Sequence, residues 1–106
     1  MTEQEFQNQA DEAIDDLYQR LVRAVETHDF EVDFNSGALA IEFEDPPAKF
    51  IVSPNSPVKQ IWVSAHSRSF KFDWDPARAA FVLNGQSLAE MMSAAVTQQI
   101  GEPVTL

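Results

Sequence analysis

The stretch Pro57-Val58-Lys59-Gln60-Ile61-Trp62-Val63 reads as a strand that places its largest aromatic side chain on the side away from the core. Side chains of a strand alternate between two faces, so Ile61 and Val63 facing a core would turn Gln60 and Trp62 the other way. An indole exposed on a rigid strand is a natural binding anchor. The alternative is a second layer that covers Trp62, and the remaining elements decide between the two.

Length and composition predict one domain that spans residues 1–106. With 44% apolar residues and no cysteine, the chain of 106 residues can bury one core without disulfides or metal. The lack of cysteine also excludes thiolate catalysis and cysteine-held zinc or iron–sulfur clusters, and it fits a reducing cytoplasm. The acidic N-terminal residues include no apolar segment, so neither a secretory signal nor a transit peptide is expected.

The negative charge is concentrated in one half of the chain. The formal net charge is −10, which argues against nucleic acid and anionic membranes as partners, since phosphate binding needs lysine and arginine. Residues 1–45 hold thirteen acidic residues against two arginines, whereas residues 46–106 hold four acidic residues against five basic ones. One side of a single domain is therefore expected to be strongly acidic.

Apolar residues at steps of three and four predict a first helix from about residue 4 to about residue 26. The opposite side of this helix carries Asp11, Glu12, Asp15 and Asp16, and Arg20 is spaced to pair with Asp16. An ordinary solvated helix face is the alternative to a functional acidic surface here. The apolar stripe consists of Phe6, Ala10, Ala13, Ile14, Leu17, Leu21, Ala24 and Val25.

Next comes a predicted β-hairpin with acidic outer positions. The segment Phe30 to Phe34 alternates apolar and acidic residues, which predicts a strand with its apolar side chains, Phe34 included, facing inward. Residues 35–37 read as a tight turn into a second strand over residues 38–44. If the helix packs beside this hairpin at the sheet edge, two acidic rows meet on one ridge. The outward acidic residues are Glu31, Asp33, Glu42 and Glu44, and Asp29 precedes the first strand.

The remaining elements complete an α+β two-layer sandwich. A capping box from Ser87 to Glu90 and a stop at Gly101 predict the last helix, with Met91 and Met92 as core residues. Its other buried positions are expected to be Leu88, Ala95, Val96 and Ile100. Further strands are predicted over residues 49–53, 58–65, 70–74 and 79–83, the third of these with Lys71 and Asp73 outward. The result is helix, antiparallel sheet of five to six strands, helix, with both helices on one face and Trp62 on the other.

Several of these segments together resemble frataxin, most closely the bacterial branch of that family called CyaY. The resemblance rests on the acidic first helix and strand, on Pro57-Val58-Lys59-Gln60-Ile61-Trp62, on Phe70-Lys71-Phe72-Asp73 and on Thr97-Gln98-Gln99-Ile100-Gly101-Glu102. It covers essentially the whole chain. It implies a small iron-binding regulator or iron donor of iron–sulfur cluster assembly that docks on a cysteine desulfurase and a scaffold protein.

Carboxylate chemistry agrees with an iron-binding role. Clustered carboxylates are hard oxygen ligands that suit ferric iron, calcium or manganese and hold ferrous iron more weakly. Ligands along an exposed ridge cannot enclose a metal, so several weak, partly hydrated sites for Fe2+ or Fe3+ are expected. The candidate metal ligands are Asp11, Glu12, Asp15, Asp16, Asp29, Glu31 and Asp33. Arg20 and Arg23 dilute the ridge near the end of the first helix, which shifts the expected cluster toward Asp11, Asp15, Glu31 and Asp33.

Partner docking is the second expected role of these surfaces. An acidic ridge attracts a basic partner surface, and an exposed indole supplies an anchor. The residues expected to contact partners are Trp62, Gln60, Asp15, Asp16, Glu31, Asp33, Glu42 and Glu44. The alternative function is a metal-independent acidic adaptor of the desulfurase. A monomer is expected, and an iron-dependent oligomer is a third, weaker option.

Nothing in the sequence predicts an active site. The two histidines, His28 and His66, fall in different predicted loops and share no catalytic or metal-ligand spacing, so both read as surface residues. Three glycines alone cannot build a phosphate-binding loop. The chain is therefore expected not to be an enzyme, although slow iron oxidation on an acidic surface would need no dedicated site.

Overall fold

The computed structural model describes all 106 residues, which form two helices and one antiparallel sheet. The seven strands lie in the order of the sequence, so each strand pairs with its neighbours along the chain. The elements are α1 Glu3–Val25, β1 Glu31–Asn35, β2 Ala38–Glu44, β3 Pro47–Asn55, β4 Gln60–Ala65, β5 Arg68–Asp75, β6 Ala80–Leu83, β7 Gln86–Ser87 and α2 Leu88–Ile100. The predicted α+β sandwich is confirmed. The additional strand, β7, has only two residues after a turn and is too short to leave a periodic pattern.

Both helices begin at capping boxes. The predicted box at Ser87 is confirmed, since its hydroxyl accepts from the Glu90 amide while the Glu90 carboxylate accepts from the Ser87 amide. Thr2 and Glu5 make the same reciprocal pair at the start of α1. The helix α2 ends at Gly101 in the left-handed conformation with φ 75°, which glycine adopts without steric cost.

The core lies between the helices and one face of the sheet. The inward side chains of neighbouring strands pair across the sheet, such as Val52 with Val63 and Ile61 with Phe72, and all four are buried. The alternate positions on these strands are half-buried or exposed. One sheet face is therefore left open, as predicted from the alternation around Trp62.

The connection between β3 and β4 differs from the prediction. The strand β3 continues through Pro54 to Asn55, and residues Ser56–Val58 form a short 3-10 helix instead of beginning the next strand. Pro57 suits the start of this helix because its ring presets φ. Lys59 follows in the left-handed conformation with φ 53°, so β4 begins at Gln60.

Phe34 is not buried, contrary to the expectation. Its position opposite Leu39 turns it to the helix side of the sheet, where Leu39 is fully buried. However, β1 is an edge strand, and the Phe34 side chain stays 41% exposed with its ring 5.5 Å from that of Tyr18. Alternation correctly predicted the sheet face on which Phe34 lies, but on an edge strand the face alone does not determine whether a side chain is buried.

Gln99, rather than Ile100, is buried in the last turn of α2. Its amide nitrogen donates to the Pro46 carbonyl at 2.8 Å, and its amide oxygen lies 3.2 Å from His66 Nε2. Because both ends of the amide have partners, its burial leaves no polar group unsatisfied. The C-terminal residues form no element, as expected, but the tail also packs on the domain through buried Val104.

Candidate functional site

Trp62 lies on the open face in the middle of the sheet, between Ser53 of β3 and Lys71 of β5. Its side chain is 37% exposed, which confirms the predicted exposure. The indole N–H donates to the Gln60 side-chain oxygen at 2.9 Å, and the Gln60 amide donates to Asp73 Oδ1 at 2.9 Å. The Lys71 ammonium lies 5.0 Å from the centre of the Trp62 ring, a cation–π distance.

These four residues, Gln60, Trp62, Lys71 and Asp73, form what we call the tryptophan patch. The hydrogen bonds satisfy the indole N–H within the protein, so a partner would meet a fixed ring and a lysine rather than a free donor. Alternation predicted that Lys71 and Asp73 lie on the outward side of their strand, but it did not predict that they lie beside Trp62. Only the strand register, with Gln60 opposite Asp73 and Trp62 opposite Lys71, brings them together.

A second surface, the acidic edge, consists of Glu31, Asp33, Glu42 and Glu44 on β1 and β2. All four are exposed, and Glu31 lies directly opposite Glu42 in the strand register. Like charges directly opposite on a sheet are destabilising. One cation moderates them, since Lys49 Nζ lies 3.7 Å from Glu42. The acidic edge and Trp62 share the open face, but the register displaces the acidic residues along the strands, so roughly 16–22 Å separates them from Trp62.

The acidic residues of α1 divide between two sides of the helix. Glu12 and Asp16 line a groove with Trp74 and Phe81, on the side away from β1. Asp16 is paired there with Arg20 at 2.8 Å, as predicted from their spacing. These two carboxylates therefore do not join the acidic edge, which corrects the expectation that the whole helix row and the strand row form one ridge.

Asp11 and Asp15 lie on the other side of α1. A helix turns about 100° per residue, which places both of them within about 20° of Val22 around the helix axis. Val22 lines a groove beside β1 together with Glu31 and Asp33. Asp11 and Asp15 therefore lie on the β1 side of α1, but about 16 Å and about 10 Å before Val22 along the helix axis, so the structure does not bring them together with Glu31 and Asp33.

No preformed metal site results from this arrangement. Nowhere in the chain do three or more histidine, aspartate or glutamate side chains come close enough to hold one ion. Asp29 is exposed in the loop before β1, and Asp11 already accepts a hydrogen bond of 2.8 Å from Gln7. Among the seven candidate ligands, the structure offers single carboxylates on an open surface and no cage.

Both histidines have structural partners. His28 Nδ1 lies 2.7 Å from Glu102 Oε1, which ties the loop after α1 to the tail after α2. His66 is exposed at the turn between β4 and β5. Its Nε2 lies 3.2 Å from the Gln99 amide oxygen, and its ring lies edge-on to that of Phe50, with the ring centres 5.0 Å apart. Neither histidine stands within a group of potential metal ligands.

Comparisons with known proteins identify the family. The frataxin-like domain family matches residues 1–102. The chain belongs to the frataxin-like family. Among its relatives, the iron–sulfur cluster assembly protein CyaY of Dechloromonas aromatica is 36% identical over 109 residues, covering 100% of this chain and 99% of the relative. The protein of the same name from Azotobacter vinelandii is 36% identical over 95 residues, 86% of each chain.

A solved frataxin shares the fold. The structure of frataxin from Psychromonas ingrahamii matches with a TM-score of 0.75 and 26% identity over 99% of this chain and 97% of that one. The resemblance to bacterial CyaY-type frataxins is thus confirmed. Family membership also supports the prediction that this frataxin-like chain is not an enzyme. Neither helix is long and apolar enough to cross a membrane.

Proposed function

We propose that this frataxin-like protein acts in the cytoplasm as an iron-binding regulator or iron donor of iron–sulfur cluster assembly. Its relatives carry the name iron–sulfur cluster assembly protein CyaY. The proposal rests on one observation: the open sheet face carries both the acidic edge and an exposed tryptophan. Within the acidic edge, only Glu42 has an ion-pair partner, Lys49, and the indole N–H of Trp62 is hydrogen-bonded within the protein. The first suits iron and basic surfaces, and the second suits a specific protein contact.

Iron on this surface is cargo held loosely. Carboxylates are suitable ligands for iron, but each exposed carboxylate here can supply only one or two oxygen atoms, with water completing the coordination. Asp11, Asp15, Glu31 and Asp33 are the proposed ligands because they lie on the β1 side of the molecule and none of them has an ion-pair partner. Weak and open coordination would allow iron to pass to a scaffold protein.

Iron titration followed by 15N–1H NMR tests this role. Adding Fe2+ or Fe3+ should broaden the amide signals of residues 11–15 and 31–33 before any others, because the paramagnetic ion acts within a short range. Glu31→Gln with Asp33→Asn should reduce the broadening, while Glu3→Gln, an exposed site distant in sequence, is the matched control. Uniform broadening, or none near residues 11–33, would contradict the iron role. Light scattering of the same samples would detect iron-dependent oligomers.

The alternative is a metal-independent acidic adaptor of the desulfurase. It is favoured by the absence of any group of three potential metal ligands. Desulfurase activity and cluster assembly measured with and without iron separate the two roles, because an adaptor acts equally in both conditions. Replacing Glu31 and Asp33 by lysine should abolish desulfurase binding at low salt under either role. Unchanged binding would rule out docking through the acidic edge.

Trp62 is proposed to contact the scaffold protein. Trp62→Ala should weaken scaffold binding by about 2 kcal/mol or more, roughly 30-fold, the size expected for a central aromatic anchor. Val58→Ala is the matched control, since Val58 is 52% exposed but lies outside the tryptophan patch. Isothermal calorimetry with both variants measures the difference. Equal affinities would place the scaffold contact elsewhere.

A further inference from the structure

A groove follows the free edge of the sheet between α1 and β1. Its volume is about 560 Å³, and its lining combines small apolar side chains with carboxylates. The apolar members are Val22, Val25, Val32 and Ala40, and the acidic members are Glu31, Asp33 and Glu42. Val22 is 37% exposed although it is apolar, so the groove leaves an apolar side chain in water.

The backbone of β1 is unpaired along this groove. Strand β1 pairs only with β2, through a hairpin with the two-residue turn Ser36-Gly37. In such a hairpin the hydrogen-bonded pairs alternate from the turn, which leaves Val32 and Phe34 with N–H and C=O groups that point away from β2. No hydrogen bond outside the sheet involves these groups. A strand edge of this kind is a template for another strand.

The two sides of this edge have different chemistry. Val32 lies on the helix side of β1 with Val22 and Val25 above it, whereas Glu31 and Asp33 lie on the open side. Because side chains of a strand alternate, a strand added to β1 would turn every second residue toward the valines and the others toward the carboxylates. A segment that alternates apolar and basic residues satisfies both sides.

The same charges disfavour pairing with a second copy of the chain. Two β1 strands placed edge to edge would bring the Glu31 and Asp33 side chains of both copies together on one face. Like charges juxtaposed across an interface oppose binding and exclude the wrong partner. The acidic residues therefore disfavour pairing with a second copy of the chain and favour binding of a basic segment.

We propose that the free edge of β1 binds an extended partner segment with alternating lysine or arginine and apolar residues, which extends the sheet by one strand. This mode of recognition takes its affinity from main-chain hydrogen bonds and its specificity from alternate side chains. The inference rests on the proposed function, in which the acidic edge docks on a basic partner, and it specifies how that partner binds.

A synthetic peptide of eight residues that alternates lysine and valine, with both ends blocked, is the probe. At low salt, its addition should shift the Val32 and Phe34 amide signals in 15N–1H NMR and slow their hydrogen exchange at least tenfold. A peptide that alternates glutamate and valine is the matched control and should cause neither effect. Shifts confined to side chains, with exchange at Val32 and Phe34 unchanged, would overturn the strand addition.

Two substitutions at one position isolate the backbone contact. Phe34→Ala removes the ring but keeps the outward N–H, whereas Phe34→Pro removes both without breaking a hydrogen bond to β2. We expect Phe34→Pro to bind the lysine–valine peptide at least tenfold more weakly than Phe34→Ala. Equal affinities would refute main-chain pairing. If Phe34→Pro does not fold, the exchange measurement on the unaltered chain decides the question.

Failure of this inference differs from failure of the proposed function. If lysine at positions 31 and 33 abolishes desulfurase binding while Phe34→Pro binds like Phe34→Ala, docking is electrostatic and no strand is added. If the lysine variant leaves desulfurase binding intact, the acidic edge is not the docking surface and the proposed function loses its support. Concentration-dependent amide shifts without any peptide would identify a second copy as the occupant and overturn the proposal.

Discussion

The tryptophan patch and the acidic edge lie on the same sheet face but are built differently. Trp62 is flanked by strands on both sides, and two hydrogen bonds and a lysine determine the position of its ring. The acidic edge has a neighbouring strand on one side only, and its four carboxylates have a single ion pair, from Lys49 to Glu42. One surface offers a fixed shape, and the other offers an electrostatic field.

This difference separates two kinds of recognition. A fixed aromatic ring acts over contact distances and contributes mainly to how slowly a complex dissociates. A group of exposed charges acts over about 10 Å at 0.1 M salt and contributes mainly to the rate of encounter and to orientation. At a separation of roughly 16–22 Å, one partner complex could contact both surfaces, with the acidic edge attracting it and Trp62 anchoring it.

The largest expected effect contrasts the two faces of β4 and β5. Phe72 is fully buried, so Phe72→Ala should lower the free energy of unfolding by about 3–5 kcal/mol through lost apolar contacts and a cavity. Trp62→Ala on the opposite face should cost only about 1 kcal/mol, the size of a cross-strand contact. Urea unfolding of both variants measures the two losses in the free energy of unfolding. A loss of several kcal/mol in Trp62→Ala would show that the ring is a structural element and not a free anchor.

A smaller effect is expected from reversing one charge in the acidic edge. Glu31 lies directly opposite Glu42, so Glu31→Lys turns a repulsive pair into an attractive one and should stabilise the fold by about 0.5 kcal/mol at low salt. The gain should fade above about 0.5 M salt, where charges are screened within a few ångströms. Thermal unfolding across a salt series measures it. The same substitution should weaken desulfurase binding, so the protein would gain stability as it loses the proposed function.

Asp75→Lys, at the end of β5, is an instructive control for that prediction. Asp75 accepts a hydrogen bond from the Ala77 amide at 3.0 Å and thus holds a turn. Reversing its charge should destabilise the fold instead of stabilising it. If Glu31→Lys also lowers stability, then Glu31 has a structural role and the acidic edge is not a surface of unopposed charges.

Periodicity predicted most of the fold because the longer elements are amphipathic along their length. The strands β2 and β4 alternate without interruption, and the helix α1 keeps one apolar stripe. The inward and outward positions were therefore predicted correctly along most of these three elements. Boundaries near proline were less predictable. Proline can end a strand, begin a 3-10 helix or, as Pro54 shows, lie inside a strand, and only the neighbouring strands decide which.

The candidate site depended on information that periodicity does not contain. Period determines the face of a residue but not its neighbours across the sheet, so the contact of Lys71 with Trp62 required the register. The division of the α1 carboxylates likewise follows from the rotation of the helix on the sheet. Their row was visible in the sequence, but the side of α1 that meets β1 was not. Gln99 gave no apolar signal because its burial depends on two distant hydrogen-bond partners.

The smallest expected effect separates carboxylates that hold the structure from those of the acidic edge. Hydrogen bonds from Ser87, first from its backbone N–H, hold the pKa of Glu90 below its usual value of 4.5. A lowered pKa in the folded state means that Glu90 contributes stability above the unfolded-state pKa and loses that contribution as pH falls through the folded-state value.

Glu90→Gln keeps an acceptor for the capping box but cannot titrate. The melting temperature of this variant should therefore fall less steeply than that of the unaltered chain between about pH 5 and pH 3. Gln98→Ala, an exposed change on α2 that removes no carboxyl group, should keep the original slope, and circular dichroism melts of the three proteins over this range measure the difference. Identical slopes in all three proteins would mean that Glu90 does not determine how stability falls with pH. Other carboxylates, those of the acidic edge among them, would then have to account for the loss of stability in acid.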